Sequence, residues 1–89
     1  MSHIVEVSTF VLKEGISEQD FLSVSERFNC EFMSQQKGFI SSTLLKKDDK
    51  YLEFDVWATM DDFKSARKAA PDHPTTVEWF SLVEIEEEV

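Results

Sequence analysis

The stretch from Tyr51 to Trp57 shows the clearest alternation of apolar and polar positions in the chain. Because side chains along a β-strand point alternately to its two faces, this stretch is predicted to be a strand with two different faces. One face is wholly apolar, and the other has two acids between two aromatic residues. The apolar face consists of Leu52, Phe54 and Val56. The other face consists of Tyr51, Glu53, Asp55 and Trp57. We expect helices to cover the first face, and we place the candidate site on the second.

A short helix is predicted to follow this strand directly. Thr59 is a suitable N-cap residue, and the two acids that come soon after it favour a helix N-terminus. Apolar residues recur at helical spacing from Met60 until Pro71 ends the run. After a rigid turn over residues 70–74, the pattern predicts a brief helical turn and a last strand from about Trp79 to Glu86.

The N-terminal part of the chain predicts a strand followed by a long helix. The residues from His3 to Leu12 are rich in the β-branched and aromatic types that favour strands. An apolar stripe at helical spacing then continues to about Gln36, with Ser17 as the N-cap and Gly38 as the stop. Cys30, the only cysteine, lies beside this stripe and is predicted to be buried and inert.

Between the first helix and the central strand, residues 39–46 predict a second strand, and residues 47–50 form the turn of a hairpin. Either a two-residue or a four-residue loop gives the same cross-strand pairing, which a β-bulge would shift. The predicted pairs are Leu44 with Glu53, Ser42 with Asp55 and Ile40 with Trp57.

The resulting order, β-α-β-β-α-β, is that of an α+β, ferredoxin-like fold with four antiparallel strands and both helices on one face. The first and third strands lie in the middle, which brings Glu6 and Ser8 near Glu53 and Asp55. An uncovered face with many apolar side chains favours a homodimer in which two sheets pack face to face. The apolar residues expected there are Ile4, Phe10, Ile40, Leu44, Tyr51 and Trp57.

Length and charge narrow the classes of protein. The 89 residues fit one domain, 1–89, with a core small enough to benefit from a partner. The net charge of −9 argues against nucleic acid and anionic membranes as partners. The sequence shows no signal peptide and no apolar run of membrane length, so a cytoplasmic location is expected.

The chain resembles the antibiotic biosynthesis monooxygenase-like domains of the dimeric α+β barrel superfamily. The resemblance rests on the Gly38-Phe39 strand start, on Tyr51, Trp57 and Phe63 at intervals of six, and on a His after the second helix. It implies cofactor-independent oxidation of a small phenol- or quinol-type aromatic, with no cofactor and no metal. Haem-degrading members use an Asn on the first strand, and Ser8 stands at that position here. The chain is therefore not expected to degrade haem.

The candidate residues combine this resemblance with the chemistry of the second face. The predicted catalytic residues are His73, Asp55 and Glu53, and the predicted substrate-binding residues are Trp57, Ser8, Phe10, Ser42 and Tyr51. A histidine titrates near neutral pH, and clustered acids in a partly buried cavity raise one another's pKa, so both types suit a general base for a phenol.

Each candidate also has a structural explanation. A tryptophan at this position is also typical of the core or of a dimer contact, and a histidine in this turn is typical of a solvent-exposed residue. In the structural alternative, the acids lie at the solvent-exposed edge of a dimer interface, where Lys46 or Arg67 would pair with them. Two functions therefore stay open: a monooxygenase, and a non-catalytic dimeric protein of the same fold that binds a small ligand or is associated with stress.

Overall fold

The computed structural model describes residues 3–88. Four strands and three α-helices follow one another in the order β-α-β-β-α-α-β, with short 3₁₀ turns over Met33–Gln35 and Ala70–Asp72. The strands are β1 (Ile4–Leu12), β2 (Phe39–Lys47), β3 (Lys50–Trp57) and β4 (Val83–Glu88). The helices are α1 (Glu18–Glu31), α2 (Met60–Ala69) and α3 (Pro74–Leu82). Within residues 3–88, no helix has the length and apolar character that crossing a membrane requires.

The sheet has the order β2-β3-β1-β4, and all of its neighbouring strands are antiparallel. The predicted ferredoxin-like α+β fold, with the first and third strands in the middle, is confirmed. The pairs Leu44–Glu53 and Ser42–Asp55 are also confirmed. The predicted partner of Trp57 is wrong, because the register shifts between Phe39 and Ser41 and places Phe39 opposite Trp57. A β-bulge of this kind leaves one residue out of the pairing.

The two helix starts follow the predicted capping chemistry. The Ser17 hydroxyl accepts a hydrogen bond from the Asp20 backbone N–H at 3.1 Å, and Thr59 does the same for Asp62 at 3.1 Å. These side chains satisfy backbone donors that have no partner within the helix. The first helix ends earlier than predicted, because α1 gives way to a 3₁₀ turn, whose tighter bonding commonly ends helices.

The predicted assignment of the two sheet faces is wrong. The helices cover the face that carries Tyr51 and Trp57, which are only 4% and 2% exposed, and not the face of Leu52, Phe54 and Val56. Large aromatic side chains gain the most from burial. Covering Tyr51 and Trp57 therefore also covers the acids between them.

The last part of the chain also differs from the expectation. Trp79 lies on α3, a nine-residue helix, whereas the sequence pattern predicts only a brief helical turn there and puts Trp79 on the last strand. Cys30 is exposed, so its predicted burial is wrong. It lies on the outer side of α1, away from the apolar stripe that faces the sheet.

Two clusters of buried side chains hold the helices on the sheet. The first joins β1, β3, α1, α3 and β4, and the second joins the end of α1 to β3 and α2. The buried members of the first are Phe10, Phe21, Val24, Tyr51, Trp79 and Val83. Those of the second are Phe32, Met33, Trp57 and Ala66. The acids of the covered face lie between these two clusters.

Candidate functional site

The strand register arranges the covered face in rows that run across the sheet. Ser42, Asp55 and Glu6 form one row, and Leu44, Glu53 and Ser8 form the next. An aromatic row lies beyond each of them, one with Trp57 and one with Tyr51 and Phe10. Side chains in adjacent rows on one face are close enough to interact. The pleat thus brings three acids together between aromatic residues, as the sequence predicted, but beneath the helices.

A cavity of about 120 Å³ lies over these acidic rows, between the two buried clusters. Its sheet side has polar and aromatic groups, and its helix side is mainly aromatic and aliphatic. The sheet-side lining is Glu6, Ser8, Glu53, Asp55, Trp57 and Ile85. The helix-side lining is Phe28, Phe32, Met33, Phe63, Ala66, Arg67, Ala70, Trp79 and Phe80. A mostly apolar cavity with a few convergent polar groups is typical of a small-molecule site.

Glu53 has the most strongly changed acidity in this cavity. Burial, with further contributions from the negative charges of Asp55 and Glu6, raises the pKa of Glu53 to about 8, although a hydrogen bond from Ser42 opposes the shift. The Ser42 hydroxyl lies 3.3 Å from Glu53 Oε1. The carboxyl group of Glu53 is therefore mostly protonated at neutral pH, and a base of this strength is well matched to a phenol.

Asp55 is the most deeply buried acid of the site, with 6% of its surface exposed. Burial raises the pKa of Asp55, and hydrogen bonds with Ser42 and Glu6 offset part of the increase. Its Oδ1 atom has no hydrogen-bond partner within residues 3–88. A buried carboxylate oxygen without a partner is costly, which agrees with the raised pKa of Asp55.

Two tryptophans form part of the cavity wall. Trp57 and Trp79 both line the cavity and are each 2% exposed, and neither indole Nε1 has a partner within residues 3–88. Buried indole N–H groups usually find an acceptor. The sequence pattern pointed to Trp57 but not to Trp79. The signal for Trp79 was Pro74, because proline favours the first position of a helix and would have moved Trp79 onto one.

The structure brings only some of the predicted substrate-binding residues to the cavity. Trp57 and Ser8 line it, whereas Ser42 contacts Glu53 from a neighbouring cavity on the α1 side. Phe10 is 0% exposed, and its ring stacks on Tyr51 at 5.4 Å inside the first cluster. The Tyr51 hydroxyl donates a hydrogen bond to Glu18, and burial raises the Tyr51 pKa. Phe10 and Tyr51 thus support the site from outside its lining.

His73 lies outside the cavity lining and serves as the N-cap of α3. Its Nδ1 accepts a hydrogen bond from the Thr75 backbone N–H at 3.2 Å, and the same atom is 2.7 Å from Thr75 Oγ1. The ring packs against Phe32, with 5.3 Å between the centroids. The predicted catalytic set requires His73 to lie beside the acids, and the structure does not place it there.

The two cations proposed as partners of the acids have different positions. Lys46 pairs with Glu18 at 2.6 Å on the surface and takes no part in the cavity. Arg67 lines the cavity, and its guanidinium carbon is 5.8 Å from the centre of the Phe63 ring. The acids lie on the face of the sheet that the helices cover.

Comparison with known proteins gives a result at the level of structure. No protein-family model matches the chain, and no curated protein matches it. SnoaB from Streptomyces nogalater, a cofactor-independent oxygenase, matches with a TM-score of 0.81 and 26% identity, over 100% of this chain and 92% of that chain. The resemblance to antibiotic biosynthesis monooxygenase-like proteins is confirmed.

Further matches to this structural group are more distant in sequence. A protein from Chloroflexus aurantiacus, provisionally described as an antibiotic biosynthesis monooxygenase, has a TM-score of 0.69 and 14% identity over 99% of this chain and 89% of that chain. One from Bordetella bronchiseptica with the same provisional description has a TM-score of 0.67 and 20% identity, over 100% and 99%. At these identities the likeness shows the fold alone.

Proposed function

We propose that this protein is a cofactor-independent monooxygenase that oxidises a small phenol- or quinol-type substrate in the cavity between its sheet and helices. The observation that carries the proposal is Glu53. It is an acid with a pKa of about 8 in an aromatic-walled cavity, in a fold shared with a cofactor-independent oxygenase. The remaining lining residues supply a surface on which a flat ring can pack.

The proposed reaction needs only the substrate, molecular oxygen and a base. The ionised carboxylate of Glu53 takes the phenol O–H proton, and the phenolate transfers an electron to O₂. Recombination forms a C–O bond at the para carbon, and the proton on Glu53 returns to give a hydroperoxide. Loss of the ring C–H proton and cleavage of the O–O bond then release water and leave a quinone. One oxygen atom enters the product, and all four electrons that reduce O₂ come from the substrate.

The surrounding residues assist this step in distinct ways. Asp55 and Glu6 raise the Glu53 pKa towards that of a phenol, which improves the match between acid and base. Trp57 lines the cavity and supplies aromatic surface against which the substrate ring packs. The aromatic rings on the helix side limit the access of water, which would otherwise solvate the phenolate and compete for protons.

Oxygen consumption tests this proposal. We expect the purified protein, dialysed against a chelator, to consume O₂ with at least one member of a panel of dihydroxybenzenes, naphthols and dihydroxynaphthalenes. With ¹⁸O₂, mass spectrometry should find one labelled oxygen atom in the quinone. Binding of panel members without O₂ consumption would contradict the proposal and favour the non-catalytic ligand-binding alternative.

We also propose that the protein is a homodimer. The proposal rests on the residues of the open sheet face, and not on the apolar residues that the sequence analysis expected at the interface. The face that the helices leave open carries seven apolar side chains, and Val5 and Leu45 are 51% and 50% exposed. Such a patch is typical of an interface. Its apolar members are Val5, Val7, Val11, Leu45, Leu52, Phe54 and Val56.

Light scattering at micromolar concentration is expected to give twice the mass of one chain. Phe54→Glu places a charge in the middle of the open face and should produce a monomer, because an unpaired charge is costly to bury. Val77→Glu is the matched control, since Val77 is 61% exposed on α3. A wild-type monomer would show that this face has no partner copy.

A further inference from the structure

A second cavity, of about 210 Å³, lies between α1 and β2, which is an edge strand of the sheet. We propose that this cavity is the route by which Glu53 exchanges its proton with solvent, and that the Ser42 hydroxyl relays the proton. The route itself rests on the positions of the side chains around Glu53, whereas its use in catalysis rests on the proposed function.

Glu53 lies in the wall between the second cavity and the aromatic-walled cavity over the acidic rows. Glu53, Phe28 and Met33 line both cavities, and of these three only Glu53 can carry a proton. Its side chain is partly exposed, whereas that of Asp55 is buried. Asp55 and Glu6 line only the aromatic-walled cavity. Glu53 is therefore the acid of the site that borders both spaces.

Ser42 connects Glu53 to the second cavity. It lines that cavity but not the aromatic-walled one, and its hydroxyl lies 3.3 Å from Glu53 Oε1. Because a serine hydroxyl both donates and accepts hydrogen bonds, it can pass a proton on. Ser42 Oγ takes the proton of Glu53 while the Ser42 hydroxyl proton moves to a water molecule in the second cavity. The hydroxyl is thereby regenerated, and one proton has left Glu53.

The second cavity has the size and the polarity that water requires. A volume of about 210 Å³ has room for several water molecules. Leu22 in its lining is 45% exposed, and Glu26 is also exposed, so the cavity opens to solvent beside α1. This opening is on the helix side of the sheet, away from the open face proposed as the dimer interface. The polar lining residues are Ser25, Glu26, Asn29, Ser42 and Glu53.

The proposed reaction needs such a route. A bound substrate occupies the aromatic-walled cavity and excludes water from that side of Glu53. Burial and the charges of Asp55 and Glu6 raise the Glu53 pKa to about 8, so this group must lose a proton to solvent before it can act as a base near neutral pH. The charged residues around it are Asp55 on β3, Glu6 on β1 and Arg67 on α2 in the aromatic-walled cavity, and Glu26 on α1 in the second.

The rate of proton exchange at Glu53 tests the route without a ligand and without turnover. At the midpoint of the Glu53 titration, NMR relaxation dispersion of its carboxyl carbon measures how fast the protonated and ionised forms interconvert. Ser25→Leu fills the second cavity and should slow this exchange by roughly 10²-fold, the lower end of what a positioned proton-transfer group contributes. Leu22→Phe narrows the outer end of the cavity from an exposed position and should act in the same direction.

Ala70→Leu is the matched control for Ser25→Leu. Ala70 lines the aromatic-walled cavity and not the second one, so the same new side chain fills the other side of Glu53. The exchange rate should be unchanged in this variant, because the route through Ser42 stays open.

Two substitutions at Ser42 test the relay. Ser42→Ala should slow the exchange, and it should also raise the Glu53 pKa by roughly 0.5–1, because the hydrogen bond from Ser42 favours the ionised form. Ser42→Thr keeps the hydroxyl and should return both values towards those of the wild type.

Each outcome decides for or against the inference. Exchange that stays fast in both Ser25→Leu and Leu22→Phe would overturn the route, as would slow exchange in Ala70→Leu alone, and Leu22→Phe decides if Ser25→Leu does not fold. Fast exchange in Ser42→Ala would overturn the relay. Slowed exchange in a protein that consumes no oxygen with any phenol would leave the route standing and overturn only the oxygenase proposal. The two ideas therefore fail by different measurements.

Discussion

Replacing Glu53 with Gln is expected to lower the rate of substrate oxidation by about 10²–10⁴-fold, the usual contribution of a positioned general base. Gln has nearly the same shape and can keep a hydrogen bond with Ser42, so the cavity should stay intact. The loss should appear in kcat more than in the affinity for the substrate. Oxygen uptake and titration calorimetry on the same preparations separate the two effects.

The pH dependence of the wild-type rate gives a second readout of Glu53. Because burial and its acidic neighbours raise the Glu53 pKa to about 8, the fraction that can accept a proton increases up to that pH. The rate should therefore rise with pH and level off above about 8, and this inflection should be absent in Glu53→Gln. His73→Asn is the matched control, because asparagine is a favoured N-cap. It should keep both the rate and the inflection. A control that loses activity would return His73 to the catalytic set.

Glu53→Gln should also change how the free energy of unfolding depends on pH. The folded-state pKa of Glu53 is above its ordinary value of 4.5, so between about pH 4.5 and 8 the folded state binds more protons than the unfolded state. The free energy of unfolding contributed by Glu53 therefore falls as pH rises through this window. Near pH 9, Glu53→Gln should be more stable than wild type by about 2–4 kcal/mol, whereas the two should be alike near pH 4.5.

Chemical denaturation at equal protein concentration measures this difference, since association would otherwise contribute. NMR titration of the Glu53 carboxyl carbon supplies the pKa directly. A Glu53 pKa close to 4.5, together with equal stabilities near pH 9, would mean that the cavity is well hydrated and that Glu53 is an ordinary acid.

Replacing Trp57 with Ala is expected to lower the free energy of unfolding by about 3–5 kcal/mol. Trp57 is 2% exposed, and its ring contacts Phe39 at 5.4 Å and Phe63 at 6.2 Å, so its loss removes contacts to both β2 and α2. For a domain of this size such a loss is a large share of the total stability. Val77→Ala, at a side chain that is 61% exposed, should change stability little.

Trp57→Phe tests the role of the ring itself. Phenylalanine keeps much of the packing with Phe39 and Phe63, so this variant should be more stable than Trp57→Ala. Chemical denaturation of both variants supplies the comparison. A Trp57→Ala variant as stable as wild type would contradict the burial of this ring between sheet and helices.

The sequence by itself determined the elements and much of the content of the site. Ser17 and Thr59 start their helices by satisfying nearby backbone donors, and the period-two alternation puts Glu53, Asp55 and Trp57 on one face. These features depend on residues a few positions apart, so the local pattern is sufficient to predict them. The order of elements then limits the topology, because strands joined by helical crossovers have few arrangements.

The tertiary structure decided which face of the sheet the helices cover. Both faces of β3 are apolar enough to be buried, and alternation alone does not rank them. The decision depends on the combined burial of Trp57 and Tyr51 with aromatic residues from distant segments, among them Phe21 on α1 and Trp79 on α3. The free energy of burial is summed over the whole molecule, and aromatic side chains contribute most of it here.

The same dependence on distant contacts explains the other differences. Trp79 and Arg67 reach the cavity only because α3 and α2 pack over the acids, while His73 is turned towards Phe32 and Thr75 at the start of α3. The Glu53 pKa also has this origin, since it follows from burial beneath the helices and from the charge of Asp55. The sequence thus determined which acids lie together, and the packing of helices over them decided their chemistry, because desolvation exists only in the folded chain.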